Sequence, residues 1–139
     1  MIVFFVVAGG LVVLLVVFGV AAATDPGPPP AEVALGYELA WDRLDFDTLW
    51  SLSTAELRDR RSRRDFVAAK RAAYREQPDL RRLTRNIAVE EATAGPHVAV
   101  VITAVELRDG STVRDELKLV RRAGRWQVLT YNLRTAQGS

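Results

Sequence analysis

The 139-residue chain has no cysteine, so neither a disulfide framework nor a thiolate metal site can form. Histidine is nearly absent too. His97 is the only one, and no paired acid stands beside it in the sequence to make it a base. Net charge is +2, too small by itself to imply a nucleic-acid partner. Lysine is confined to Lys70 and Lys118, and the other basic residues are arginine, a usage that fits a GC-rich genome. No glycine-rich phosphate loop is present. From Ile2 to Ala23 charge is missing altogether.

That uncharged run, IVFFVVAGGLVVLLVVFGVAAA, is the strongest signal in the chain. As a helix it would be roughly 33 Å long, which matches a bilayer core of about 30 Å. In lipid a helix satisfies its own backbone groups. Residues 1–23 are therefore predicted to be a transmembrane helix or signal anchor, in contact with membrane lipid. Ala21-x-Ala23 has the small-residue spacing of a signal-peptide cleavage site. The apolar run, however, exceeds the usual ~7–15 residues, and no Lys or Arg precedes it. Past the span, Asp25, Glu32, Glu38 and Asp42 come before the first basic residue, Arg43. With the amino group on the other side, this places the following domain outside the cytoplasm.

Residues 24–30, TDPGPPP, are a proline-rich linker that favours polyproline II and holds the domain about 20 Å from the span. Residues 31–134 are predicted as one α+β domain, and 135–139 as a disordered tail. The first helix covers Ala31–Leu44, with Val33, Tyr37, Trp41 and Leu44 as one apolar stripe widened by Leu35 and Leu39. Glu38, Asp42 and Asp45 share another face. Paired carboxylates can do acid–base work or bind a cation, but with no histidine or cysteine beside them they are read as a solvated acidic face. A short second helix starts at Asp45-Phe46-Asp47. Ser53 and Glu56 have capping-box spacing, as do Ser62 and Asp65. The second pair opens a third helix over Arg63–Glu76, which Pro78 stops. Residues 58–85 are rich in arginine, a solvated basic face that could also dock anionic lipid or an acidic partner.

From Leu83 the apolar period becomes two. Strands are predicted at Leu83–Thr93, His97–Leu107, Thr112–Arg121 and Arg125–Leu133, giving three helices packed on a curved four-stranded antiparallel sheet. Asp109-Gly110 predicts a two-residue type I′ hairpin. It would set Ile102 opposite Leu117 and Val100 opposite Leu119. A turn at Ala123-Gly124 would set Leu119 opposite Val128. One face would then carry Val98, Val100, Ile102, Leu117, Leu119, Trp126 and Val128 against the helices. The other would carry Val101, Val105, Leu129, Tyr131 and Leu133, apolar enough to be an interaction face for a protein partner or a second copy.

Three segments, Glu38–Thr54 (ELAWDRLDFDTLWSLST), Phe66–Ala72 (FVAAKRA) and Gly124–Leu133 (GRWQVLTYNL), resemble the nuclear transport factor 2-like superfamily, whose domain is a cone of helices and sheet. The resemblance covers nearly all of the chain after Pro30 and includes no catalytic motif. It implies a pocket inside the cone, and dimerisation through the outer sheet face in many members. Some members are isomerases or dehydratases; many bind ligands or assemble complexes. Pocket candidates here are Tyr37, Trp41, His97 and Asp115. Membrane-tethered members of bacterial envelopes, actinobacterial ones included, share the layout of one span followed by an outward cone. The expectation is thus an extracytoplasmic, membrane-anchored accessory or assembly module, not an enzyme, with no cofactor, metal or nucleic acid. The alternatives are a domain that binds a small apolar ligand and an enzyme of the isomerase or dehydratase type.

Overall fold

The computed structural model describes residues 27–77 and 83–137. Among them no helix is long and apolar enough to cross a membrane. The expected span at residues 1–23, most of the linker before Gly27, and the Pro78 stop lie outside the described residues.

Helix α1 runs Pro30–Arg43, α2 Phe46–Leu52 and α3 Arg63–Tyr74. Strands β1 (Thr84–Ala94), β2 (Val98–Leu107), β3 (Thr112–Arg122) and β4 (Arg125–Gln137) follow. The sheet is an antiparallel meander in the order β1-β2-β3-β4. Its concave face packs on the helices around Val33, Ala34, Tyr37, Leu49, Phe66, Val101, Leu117, Leu119 and Val128. β4 takes in residues 135–137, which the sequence places in the tail, because Thr112–Arg114 offer them ladder partners.

Proline suits the start of α1, since Pro30 lacks an amide where none is needed. Pro29 has φ −66° and ψ 161°, polyproline II values, whereas Gly27, also in the expected linker, has φ +124°, and Pro30 already belongs to the helix. Leu44 ends the helix in the left-handed region, and its amide reaches back to the last turn. Asp45 then caps α2: its carboxylate accepts from the Thr48 amide at 3.2 Å and the Thr48 hydroxyl at 2.6 Å. Ser62 caps α3 as predicted, accepting from the Asp65 amide at 3.2 Å.

The other predicted capping box does not form. No helix starts at Ser53. Its hydroxyl donates to the Leu49 carbonyl at 2.6 Å, and Glu56 instead pairs with Arg122 at 2.7 Å. The Thr54 amide donates to Val128 O at 2.9 Å, which ties this segment to β4, and the turns that follow start one residue later, with the Thr54 hydroxyl accepting from the Leu57 amide at 3.2 Å. Trp50 holds the rest of the loop. Its Nε1 donates to Arg61 O at 2.9 Å, and the Arg58 guanidinium stacks 3.8 Å from its ring centroid.

The β2–β3 register also departs from expectation. Glu106 pairs with Thr112 and Val101 with Leu117, one residue away from the predicted pairing. The loop has three residues, Arg108 to Gly110. The Gly110 amide donates to Leu107 O and the Leu107 amide to Ser111 O, with Gly110 at φ +90°. This is a tight turn closed by a left-handed glycine bulge. Asp109 favours it by accepting from the Ser111 amide at 2.8 Å. A slip of one residue exchanges the faces. Ala99, Val101, Thr103 and Val105 therefore face the helices, and Val98 is left 54% exposed. Apolar residues on both faces of β2 made the two registers indistinguishable by hydrophobicity. The Ala123-Gly124 turn is as predicted, with Leu119 opposite Val128 and Arg121 opposite Trp126.

Candidate functional site

α1 and the end of α3 stand over the concave sheet and leave a cleft of about 420 Å³ at the end nearest the β2–β3 hairpin. Trp41, Leu44 and Tyr74 form the helix-side wall. Leu83, Val105, Leu107 and Val113 form the sheet-side wall. Trp41 and Tyr74 meet edge to face with centroids 6.0 Å apart, and Phe46 backs both.

Asp42 and Thr84 also line the cleft, joined to each other by a hydrogen bond, and a second polar group lies at its floor around Glu38, Asp115 and Tyr131, with Thr103 behind them. Glu38 is 5% exposed, Asp115 4% and Thr103 0%. Tyr131 joins the two acids. Its hydroxyl lies 2.9 Å from Asp115 Oδ2 and 3.2 Å from Glu38 Oε2. The Thr103 hydroxyl donates to Glu38 Oε1 at 2.9 Å. Tyr37, behind the floor, packs edge-on against Tyr131 with centroids 5.2 Å apart.

Counting protons shows that at least one of the two acids is neutral. The Tyr131 hydroxyl has one hydrogen and can donate to only one of its two neighbours. If it donates to Asp115, the nearer, then Glu38 Oε2 must carry a hydrogen and donate to the phenol oxygen. A neutral Glu38 gives every atom of the chain a partner, from Glu38 through Tyr131 to Asp115. Electrostatics agree: burial first, then the adjacent Asp115 carboxylate, push the Glu38 carboxyl up to about 8, against smaller opposing effects of Thr103 and Tyr131. Burial and the same two acids push the Tyr131 phenol upward, so it stays protonated. Burial also raises Tyr37. The Trp41 indole N–H near its hydroxyl offsets part of this without making a hydrogen bond of full geometry.

Of the residues the sequence proposed for a pocket, Trp41 and Asp115 line the cleft and Tyr37 supports its floor. His97 does not join them. It is exposed at the β1–β2 turn, where its carbonyl accepts from the Arg121 amide at 2.9 Å. Six residues of strand, about 20 Å, separate it from Thr103.

The expected interaction face is not assembled either. Val101 is 0% exposed and Val105 5%, both on the concave side. Tyr131 is in the cleft floor, and Leu129 is half-buried. Leu133 pairs through its backbone with Asp115. The cause is a β-bulge. Leu119 pairs with Val128 but Lys118 with Thr130, so Leu129 is the extra residue. The bulge turns both Val128 and Tyr131 inward, whereas strict alternation separates them.

Three residues of the site escaped the sequence reading. The expected alternation puts Tyr131 on the outer face, it gives Thr103 no role, and the spacing of α1 puts Glu38 on a solvated acidic face. Glu38 and Asp42 of α1, and the acid that caps α2, do different things. Glu38 is buried in the floor, Asp42 accepts from the Thr84 amide at 2.9 Å, and Asp45 caps α2. The available signal was Glu38 lying one residue from the Val33–Tyr37–Trp41 stripe. No group of three or more His, Cys, Asp or Glu among the described residues could hold a metal ion.

No family model matches the chain, and no curated protein matches it. Solved structures do. A Campylobacter jejuni protein described as a candidate NTF2-like transpeptidase superposes with a TM-score of 0.54 and 16% identity, over 74% of this chain and 99% of that one. An NTF-2 like protein of unknown function from Silicibacter pomeroyi gives 0.51 and 16%, over 86% and 98%. The fold is nuclear transport factor 2-like. At this identity the likeness extends to the fold alone, and chemistry has to be argued from the cleft.

Proposed function

We propose that this chain is a membrane-tethered, outward-facing cone domain whose cleft binds a small ligand with an apolar body and a hydrogen-bonding head. The observation that carries this reading is the Glu38–Tyr131–Asp115 chain at the bottom of a cleft whose other lining is mostly apolar, Asp42 and Thr84 excepted. Burying two carboxyls without a basic partner is unfavourable for folding, and hydrophobic residues of similar size would fill the floor at less cost. The walls suit an apolar body, and the floor presents both an acid donor and carboxylate acceptors to its head. The assembly-module reading leaned on an apolar outer sheet face, and that support weakens with Val101, Val105 and Tyr131 turned inward. The tether itself rests on the uncharged Ile2–Ala23 run.

Proton transfer is the second reading. A neutral carboxyl joined through a phenol to a second carboxyl is an acid and a base within reach of one bound molecule. Acyl transfer has less support, since neither serine nor cysteine lines the cleft.

The test of ligand binding is extraction and mass spectrometry of the full chain purified from its own membrane, beside a Val113→Trp variant that fills the cleft. The wild type is expected to carry a small molecule that the variant lacks while both keep the same circular dichroism. Equal loads in the two proteins, or none in either, refute the reading. Alkaline carbonate washing tests the tether separately: the chain is expected to stay with the membrane, and its release would refute anchoring.

A further inference from the structure

We infer that the end of the domain from which the N-terminal segment leaves is a docking surface for anionic lipid, and that docking there points the cleft mouth away from the bilayer. The inference rests on the tether proposed above.

The place where the chain enters the domain is fixed by Gly27. Its φ of +124° suits glycine, and a Cβ built on it would lie 3.6 Å from Gly124 O and 3.9 Å from Arg125 Cγ. The linker therefore arrives beside the β3–β4 turn. Two other segments meet there. Glu56 binds Arg122 at 2.7 Å with Arg60 close by, and the Arg121 amide bonds the His97 carbonyl of the β1–β2 turn.

This end is basic. Arg60, Arg61, Arg122 and Arg125 are exposed, and Arg121 lies beside them with its guanidinium 6.0 Å from the Trp126 ring centroid. The acids at this end are Glu56, already bound to Arg122, Asp59, and the exposed Glu32 in the first turn of α1, so the five arginines leave the described part of the surface net positive. In the linker, Asp25 adds one further negative charge.

Reach makes the placement matter. Four residue steps separate Ala23 from Gly27, so Gly27, which touches the β3–β4 turn, lies within about 14 Å of the end of the apolar run. That is comparable with the screening length of about 8–10 Å in physiological salt. A tether this short keeps the local lipid concentration high, so an attraction too weak to recruit a free protein can still orient a tethered one. The cleft mouth is at the opposite end. Val113 on its wall stands nine residues along β3 from Arg122, about 30 Å away. A ligand would then enter from the aqueous side, not directly from the lipid.

The chain's lack of cysteine permits a direct test. The full-length His97→Cys and Arg108→Cys variants, substituted at exposed positions at opposite ends of β2, are labelled with a donor fluorophore. They are reconstituted in phosphatidylcholine vesicles with a rhodamine lipid acceptor, with or without a one-third share of phosphatidylglycerol. Added anionic lipid should raise transfer from position 97 and lower it from position 108, at least doubling their ratio. High salt should abolish the change, as should the combined Arg60→Glu, Arg61→Glu and Arg125→Glu substitutions. A chain that floats with neutral vesicles but shows the same ratio in both lipids overturns the docking and leaves the tether standing. A chain that does not float with neutral vesicles overturns the tether and the docking together. The lipid comparison needs no charge reversal, so it decides the question even if the triple variant fails to fold.

Discussion

Replacing Glu38 by Gln should stabilise this protein at neutral pH, although it removes a buried group that makes two hydrogen bonds. Glutamine reproduces the neutral acid. Its carbonyl can accept from Thr103, and its amide can donate to the Tyr131 oxygen while Tyr131 donates to Asp115. What disappears is the ionisation. In the fold the Glu38 carboxyl is pushed from 4.5 up to about 8. The unfolded chain therefore loses this proton first, and between those values the folded state holds more protons. Stability is then full below about pH 4.5 and falls as pH rises toward 8. With those two values the wild type gives up about 3 kcal/mol by pH 7 and about 5 kcal/mol by pH 9. Out of a total of about 5–15 kcal/mol this is a large share. Urea titrations of the full chain in non-ionic detergent, followed by tryptophan fluorescence, measure it. The wild-type midpoint should fall steadily from pH 5 to pH 9 while that of Glu38→Gln stays nearly level, the two almost meeting at pH 5. Parallel curves, or a variant less stable than wild type at pH 7, would refute both the proton count and the neutral acid.

Tyr131→Phe removes the bridge between the acids and should cost about 1–3 kcal/mol at pH 7. The same urea titrations measure the loss. Ala123 sits at φ +52° in the β3–β4 turn, so Ala123→Gly should gain about 0.5–1 kcal/mol, a rise of a few degrees in thermal melting. Asp45→Ala loses the α2 cap and should cost about 1 kcal/mol at pH 7. Thr48 holds the Asp45 carboxyl below its ordinary range, so the cap acts above that range and fades as pH falls through the lowered value. The deficit of Asp45→Ala should therefore shrink in acid.

Much of the fold was legible in short-range patterns. The Val33–Tyr37–Trp41 stripe, the Ser62 cap, the change to period two after Leu83 and the Ala123-Gly124 turn each depend on residues near one another in the chain. The site was less legible for two specific reasons. β2 is apolar on both faces, so hydrophobicity could not choose between a two-residue and a three-residue loop at Asp109-Gly110. The choice placed Val101 and Thr103 inside. The bulge at Leu129 has no marker in GRWQVLTYNL, and it alone turned Tyr131 toward Glu38.

What the sequence determined by itself was therefore the kind of domain: helices, then an antiparallel sheet, behind an uncharged run long enough to span a bilayer. Periodicity, caps and turn residues act over a few positions, and their physical causes are local. The tertiary structure decided which acid is buried. Glu38 and Asp42 lie one helical turn apart and have the same type of side chain, yet one is under Tyr131 and Asp115 while the other caps the Thr84 amide. Burial and charge proximity are properties of the packed chain, set by β3 and β4 closing over α1. They raise one carboxyl to about 8 in a cleft that no local pattern announces.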